Sequence, residues 1–259
     1  MSAPHDQHFL TDPDAVGKIA RFSDIKDQTV LEIGPGKGAL TKELLEIGAR
    51  VIAIEIDPKM IEVLGSRFAD EIDSGRLTLL NEDAVRCNYP DFDIVIANLP
   101  YSASSKITFR LLEHGFKGAV LMYQKEFALR MMALPGTSDC GRLSVMVQTY
   151  AKVMPLLNLP PEAFSPPPAV DSMVVRITMK EELTYPVDDP DFYSILVREL
   201  FSHRRKTLKK SLKSSKAVIG EDRYKRIVDS LSDEMLKKRA EELSLKDFSD
   251  ISNIATAES

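Results

Sequence analysis

Cysteine is scarce in this sequence of 259 residues: Cys87 and Cys140 are far apart and form no Cys-x-x-Cys pair. That argues against a disulfide scaffold and a cysteine-based zinc site, and it points to a reducing, cytoplasmic setting. Histidine is nearly as rare, and His5, His8, His114 and His203 lack metal-ligand spacing, so no metal is expected. No apolar run approaches the roughly 18 residues that a bilayer-crossing helix needs. Met1–Leu10 has no basic region followed by an apolar stretch, so neither a signal peptide nor a membrane partner is expected. Internal repeats and low-complexity segments are also missing. The net charge of −5 shows none of the positive excess that many nucleic-acid binders carry.

What is there is the composition of a globular protein, with 44% hydrophobic and 28% charged residues. The length suits one large domain, or a main domain with a small appendage. Through the first two thirds, short β-type runs alternate with helical ones. Strands are expected at Thr29–Ile33, Arg50–Ile54, Leu77–Leu80, Asp93–Ala97, Gly118–Tyr123, Ser144–Ala151 and Met173–Met179, with helices such as Ala39–Ile47 and Pro58–Phe68 between the early ones. Such alternation implies an α/β fold with a doubly wound parallel sheet. Between the last two strands lies Pro160–Pro168 rather than a helix, which implies an antiparallel closing hairpin. Beyond Lys180 the pattern is helical, with Phe192, Leu196 and Leu200 at four-residue spacing, Leu208 and Leu212 repeating it, and a break at Gly220. The expected domains are 1–184 and an all-helical 185–259.

The first strand runs into Gly34-Pro35-Gly36-Lys37-Gly38. Glycines at alternate positions allow a tight turn and a close approach of backbone to ligand, and the helix beyond would offer free N–H groups. The spacing is neither the Gly-x-Gly-x-x-Gly of dinucleotide folds nor a phosphate loop ending in Gly-Lys-Ser/Thr. Glu55 caps the second strand about 20 residues later, where a carboxylate can accept both hydroxyls of a ribose. Asp83 follows the third strand, where it can accept a hydrogen bond from an adenine amine. Either acid could equally be a solvated loop residue, but two at successive strand ends behind a glycine turn favour a nucleoside ligand.

The fourth strand ends in Asn98-Leu99-Pro100-Tyr101. An adenine amine is a poor nucleophile because its lone pair is delocalised into the ring. The Asn98 amide oxygen and the Leu99 carbonyl, held by rigid Pro100, supply two acceptors that favour a pyramidal nitrogen. Tyr101 offers a flat face for the base, worth roughly 1–3 kcal/mol. Separately, Arg198–Lys216 holds eight basic residues against the single acid Glu199. Such a run reads either as a solvated helix face or as a local track for phosphates, with Arg204, Arg205, Lys206, Lys209 and Lys210 at its centre.

These segments resemble the ribosomal RNA adenine dimethyltransferases: Gln7-His8-Phe9-Leu10, Glu32 through Thr41, Asn98 through Tyr101, and Phe164-Ser165-Pro166-Pro167-Pro168-Ala169-Val170-Asp171-Ser172. Phe201-Ser202-His203-Arg204-Arg205-Lys206-Thr207-Leu208 resembles the small-subunit branch of that family. The resemblance implies a Rossmann-like class I methyltransferase core, with a seven-stranded, mostly parallel sheet and an antiparallel last hairpin, followed by a helical RNA-binding domain. It implies S-adenosyl-L-methionine as cofactor, S-adenosyl-L-homocysteine as product, and two methyls placed on each of two adjacent adenines near the 3′ end of small-subunit ribosomal RNA. The expected partner is that RNA, within a pre-ribosomal small subunit, and the enzyme is expected to be a monomer. Carried over by position, His8 and Leu10 line the cofactor's entry, Gly34 and Gly36 its methionine end, Glu55 the ribose and Asp83 the adenine. Asn98 touches both cofactor and target amine, and Phe164 closes on the target base opposite Tyr101. His8 stands where many relatives carry Asn.

Four other readings compete. The antibiotic-resistance branch that methylates large-subunit RNA is disfavoured by Phe201 through Lys206. DNA amine methyltransferases often carry Asp-Pro-Pro-Tyr, and Leu99 stands where the first proline would be. A non-catalytic assembly or transcription factor on the same scaffold would show degraded motifs, yet Glu55, Asp83, Asn98 and Tyr101 are intact. Nicotinamide oxidoreduction lacks its glycine spacing.

Overall fold

A computed structural model describes residues 8–257, so Gln7 of the first motif lies outside the described residues. In chain order the elements are β1 (Phe9–Leu10), α1 (Pro13–Ala20), β2 (Thr29–Ile33), α2 (Ala39–Ile47), β3 (Arg50–Glu55), α3 (Pro58–Arg67), α4 (Ala69–Asp73) and β4 (Leu77–Asn81). After them come β5 (Ile94–Asn98), α5 (Ser104–His114), β6 (Gly118–Gln124), α6 (Lys125–Met131), α7 (Arg142–Tyr150), β7 (Ala151–Leu159), β8 (Phe164–Ser165) and β9 (Ser172–Met179). The remainder is helical: α8 (Pro190–Ser202), α9 (Leu208–Ser214), α10 (Lys216–Ile219), α11 (Glu221–Ser230), α12 (Asp233–Lys237) and α13 (Leu245–Thr256). None of the described helices is long and apolar enough to cross a membrane.

Seven strands form one sheet in the order β4-β3-β2-β5-β6-β9-β7. Parallel pairs join β2 to β3 and β5, β3 to β4, and β5 to β6, whereas β9 runs antiparallel to β6. The mostly parallel sheet is the one expected from the alternation, and its seven strands with an antiparallel last part are what the resemblance implies. The strand order reverses between β2 and β5, and open α/β sheets bind ligands outside the carboxyl ends at that point. The glycine turn follows β2, and Asn98 ends β5, so both motifs meet at the switch. Val30, Leu44, Val51, Leu64, Ile96, Val120 and Val174 belong to the core cluster behind them.

One expected strand is a helix. Ser144–Ala151 falls almost entirely within α7, and the strand follows at Ala151–Leu159. Val145, Val147 and Thr149 favour strands locally, but α7 buries Ser144 through Val147 as well as Thr149, which erases the helical period. β7 in turn contains Pro155, tolerated because β7 is the last strand of its sheet.

The chain divides into two compact units: Met1–Ala128 with Lys152–Met179, and Leu129–Ala151 with Lys180–Ser259. A single boundary near residue 185 does not describe this, because Leu129–Ala151 groups with the C-terminal helices. The reason lies in that unit's interior. Tyr193 is fully buried on α8, its hydroxyl is 2.8 Å from Thr149 Oγ1, and its ring meets Tyr150 edge-on at 6.2 Å.

Candidate active site

The first unit holds a cavity of about 690 Å³ at the carboxyl ends of β2, β3 and β5. Its floor is the glycine turn. Gly36 adopts φ +54°, and a Cβ there would stand 2.7 Å from the Phe9 ring, so only glycine lets the N-terminal segment lie this close. Lys37 Nζ sits 4.9 Å from the centre of the same ring. Gly34 also has positive φ, at +70°, and its N–H donates to the Ile54 carbonyl at 2.9 Å, which ties the turn to β3.

Glu55, at the end of β3, is 5% exposed and lines the cavity. Its Oε2 accepts the Gly36 N–H at 3.2 Å and its Oε1 the Asp57 N–H at 2.9 Å. These bonds fix the carboxylate while leaving lone pairs for a ligand. Asp83 lines the cavity from the loop after β4, where its Oδ1 accepts the Val85 N–H at 2.9 Å.

Asn98 is the last residue of β5, and its Nδ2 donates to the His8 carbonyl at 3.1 Å. That bond commits the amide's donor side to the N-terminal segment and leaves Oδ1 as its acceptor. Leu99 N–H donates to Met122 O at 3.4 Å, and the Pro100 carbonyl accepts from Ala103 N–H and Ser104 Oγ, both at 3.1 Å. The corner is thereby locked to β6 on one side and to α5 on the other. Tyr101 is held at its rim by Ser172, with the two oxygens 2.6 Å apart.

His8 and Leu10 reach the cavity because β1 pairs antiparallel with β8, with Leu10 opposite Phe164. The His8 ring stacks on Tyr101 at 5.5 Å and 27°, and its Nδ1 is 2.8 Å from the Pro166 carbonyl. One face of the Tyr101 ring therefore already carries an imidazole. The sequence reading placed Phe164 on the target base opposite Tyr101. Phe164 is 3% exposed, belongs to the core cluster with Leu10, and does not line the cavity. The β1–β8 pairing sets it opposite Leu10.

Several cavity residues escaped the sequence reading, Ile56, Val85 and Glu32 among them. Ile56 and Val85 flank Glu55 and Asp83 with apolar surface. Glu32, in β2, is 1% exposed, and its Oε2 accepts the Thr41 hydroxyl at 2.7 Å. Burial pushes its pKa up to about 8; the Thr41 hydrogen bond opposes the shift and the charge of Glu55 adds to it. The signal was a lone acid inside the apolar run Thr29–Ile33. Cys87 and Cys140 are free, and burial raises both thiols above their ordinary pKa, so neither is an activated nucleophile.

In the second unit, Arg205, Lys209 and Lys210 are exposed, and none of them forms an ion pair with any described residue. Lys206 Nζ donates to Ser214 Oγ at 2.9 Å. Arg204, expected on the phosphate track, has its guanidinium taken up by Glu241 and the Ser138 carbonyl. A bridge between Thr207 and Arg239, together with the Leu208 N–H donating to the Lys238 carbonyl at 2.7 Å, brings a second basic run, Lys237-Lys238-Arg239, alongside.

Comparison with known proteins follows the same lines. Residues 3–256 match the family described as ribosomal RNA adenine dimethylase. A protein of Methanospirillum hungatei named as a probable ribosomal RNA small subunit methyltransferase A is 56% identical over 253 residues, covering 98% of each chain. A protein of the same name from Natronomonas pharaonis is 42% identical, covering 96% of this chain and 91% of its own. Among solved structures, a dimethyladenosine transferase from Plasmodium falciparum superposes with a TM-score of 0.79 at 34% identity, covering 94% of this chain and 96% of the other. The 23S rRNA methyltransferase ErmE gives 0.64 at 24% identity, covering 93% and 99%, a likeness of fold.

Proposed function

The chain belongs to the ribosomal RNA adenine dimethylase family, and from that premise we propose how its residues perform the reaction. The protein is a methyltransferase that dimethylates the N6 amine of adenines in small-subunit ribosomal RNA, with S-adenosylmethionine as donor. The observation that carries the residue-level reading is the meeting, around one cavity, of the glycine turn, Glu55, Asp83 and the Asn98–Tyr101 corner.

The cavity suits this cofactor. The glycine turn accepts the methionine end at Gly34 and Gly36, Glu55 accepts from the ribose, Asp83 from the adenine amine, and His8 and Leu10 border the entry. When bound, the cofactor supplies an electrophilic methyl group. The chain's own part is positioning, desolvation and orientation of the amine. Asn98 Oδ1 and the Leu99 carbonyl accept its two N–H groups and turn the lone pair toward the methyl. The target base leaves its neighbours' stack and takes the place of the His8 ring against Tyr101. No side-chain nucleophile takes part, in keeping with the raised thiols.

In the second unit, Arg205, Lys206, Lys209 and Lys210 guide the RNA through its phosphates, with Lys237, Lys238 and Arg239 extending the track. Such contacts set register, while the cavity selects adenine. The substrate is a pair of adjacent adenines near the 3′ end of the RNA within an assembling small subunit, and the enzyme acts as a monomer. Calorimetric titration tests the cofactor reading. S-adenosylhomocysteine should bind wild type while a nicotinamide dinucleotide does not, and Glu55→Ala should weaken binding about tenfold by removing charge-assisted hydrogen bonds. Unchanged affinity in folded Glu55→Ala would contradict it.

A further inference from the structure

The loop that carries Asp83 has no strand partner and owes its shape to side chains. Internally, the Asp83 carbonyl accepts the Arg86 and Cys87 N–H groups, each at 2.8 Å. Three more of the loop's carbonyls are taken by the side chains of Tyr89 and Arg110. Tyr89 Oη donates to Ala84 O at 2.8 Å, Arg110 Nη1 donates to Val85 O at 2.7 Å, and Arg110 Nη2 donates to Cys87 O. The same guanidinium lies over the Tyr89 ring, 5.1 Å from its centre.

Arg110 is an unusual brace. It is half-buried, its Nε is buried with no hydrogen-bond partner, and it forms no ion pair with any described residue. A guanidinium withdrawn from water without a carboxylate is unfavourable unless several hydrogen bonds offset the loss. Here the compensating partners are the carbonyls of the cofactor loop. Val85 is central, because its N–H caps the Asp83 carboxylate while its carbonyl is held by Arg110.

We infer that Arg110 is a positioning residue for the cofactor, fixing the 83–89 loop so that Asp83 is presented to the adenine. The inference rests on the reading that Asp83 meets the cofactor's adenine amine. Arg110 lies on α5, which starts three residues beyond Tyr101 and whose Ser104 caps the Pro100 carbonyl. Six residues of helix, about 9 Å, separate Ser104 from Arg110. One helix therefore braces both the target-base corner and the adenine side of the cavity.

The test compares Asp83→Ala, Arg110→Ala, Arg110→Lys and the double variant Asp83→Ala/Arg110→Ala. The readouts are calorimetric affinity for S-adenosylhomocysteine, thermal unfolding, and kcat and KM for cofactor and for RNA. Arg110→Ala should weaken binding about tenfold and raise cofactor KM in step. Its kcat at saturating cofactor and its RNA KM should stay within about twofold. Arg110→Lys, which keeps the charge and one donor, should give an intermediate loss. Because both residues act through one contact, the double variant should bind no worse than about the weaker single. If Asp83→Ala weakens binding while folded Arg110→Ala does not, the inference about Arg110 fails and the cofactor reading stands. Losses that multiply in the double variant overturn it too. If Asp83→Ala itself binds normally, the cofactor reading fails and the inference falls with it. Should Arg110→Ala not fold, wild-type affinity in Arg110→Lys overturns the inference on its own.

Discussion

Glu55 and Lys209 are both charged side chains assigned to a ligand, and they are held in opposite ways. Glu55 is buried at a strand end and gripped by two backbone N–H groups. Lys209 stands exposed on the short helix α9, with no ion-pair partner among the described residues. The cavity specifies its ligand through geometry fixed before binding, so single substitutions there should remove whole functions. On the proposed reading the basic surface works by summed charge, which would tolerate loss of any one residue and respond to salt. Burial also favours the neutral form of a carboxyl, so Glu32 gives the cavity a pH-dependent stability.

The largest effect should come from Asn98. Its amide donates to the His8 carbonyl, which leaves its oxygen as the acceptor that the proposed mechanism gives to the target amine, and Asn98→Ala removes that acceptor. By analogy with the loss of a single preorganised polar group elsewhere, the methylation rate should fall about 10²- to 10³-fold. RNA affinity, measured by filter binding, should stay within about twofold. A parallel loss of RNA affinity would erase the distinction between the two regions.

Glu32 tests the cost of the cavity. In the native state its carboxyl holds its proton up to about pH 8, whereas in the unfolded chain it releases it near the ordinary 4.5. Between those values the native state binds more protons, so Glu32 should make stability fall as pH rises from about 4.5 to 8. Glu32→Gln should flatten that part of the curve, gaining on wild type by a few kcal/mol at most. Denaturant unfolding across this pH range measures it, and identical slopes in both proteins would refute the assignment.

On the basic surface the effect is smaller and salt-dependent. Replacing Arg205, Lys209 and Lys210 together by Ala should lower the slope of log affinity against log salt by about two units, at roughly 0.7 per phosphate contact on single-stranded RNA. Cofactor affinity should not change. An unchanged slope would mean that these lysines and the arginine are only a solvated face. Arg204→Ala alone should behave differently, lowering the melting temperature while hardly altering the slope, because its guanidinium is spent on Glu241 and Ser138.

The same contrast explains what could be read from the sequence. The glycine turn, the acid ending β3 and the Asn98–Tyr101 corner are local patterns, and each sits where strand and turn chemistry put it. The doubly wound sheet followed from alternation, and the antiparallel closure from the missing helix before β9. What could not be read depends on distant partners. Phe164 is drawn inward by its pairing with Leu10, 154 positions away, and Arg110 meets the Val85 loop across 25 positions. The α7 segment looked like a strand because packing on all sides hid its period, and Arg204 looked free because its partners lie 37 and 66 positions off.

The most direct test of the central claim is the chemical identity of the product. Small-subunit RNA, free and in an assembly intermediate, would be incubated with the enzyme and methyl-labelled S-adenosylmethionine, then digested to nucleosides and analysed by mass spectrometry. The account predicts that the label appears as N6,N6-dimethyladenosine at two adjacent positions. Label on a ribose, on another base, or on no nucleoside at all would contradict it.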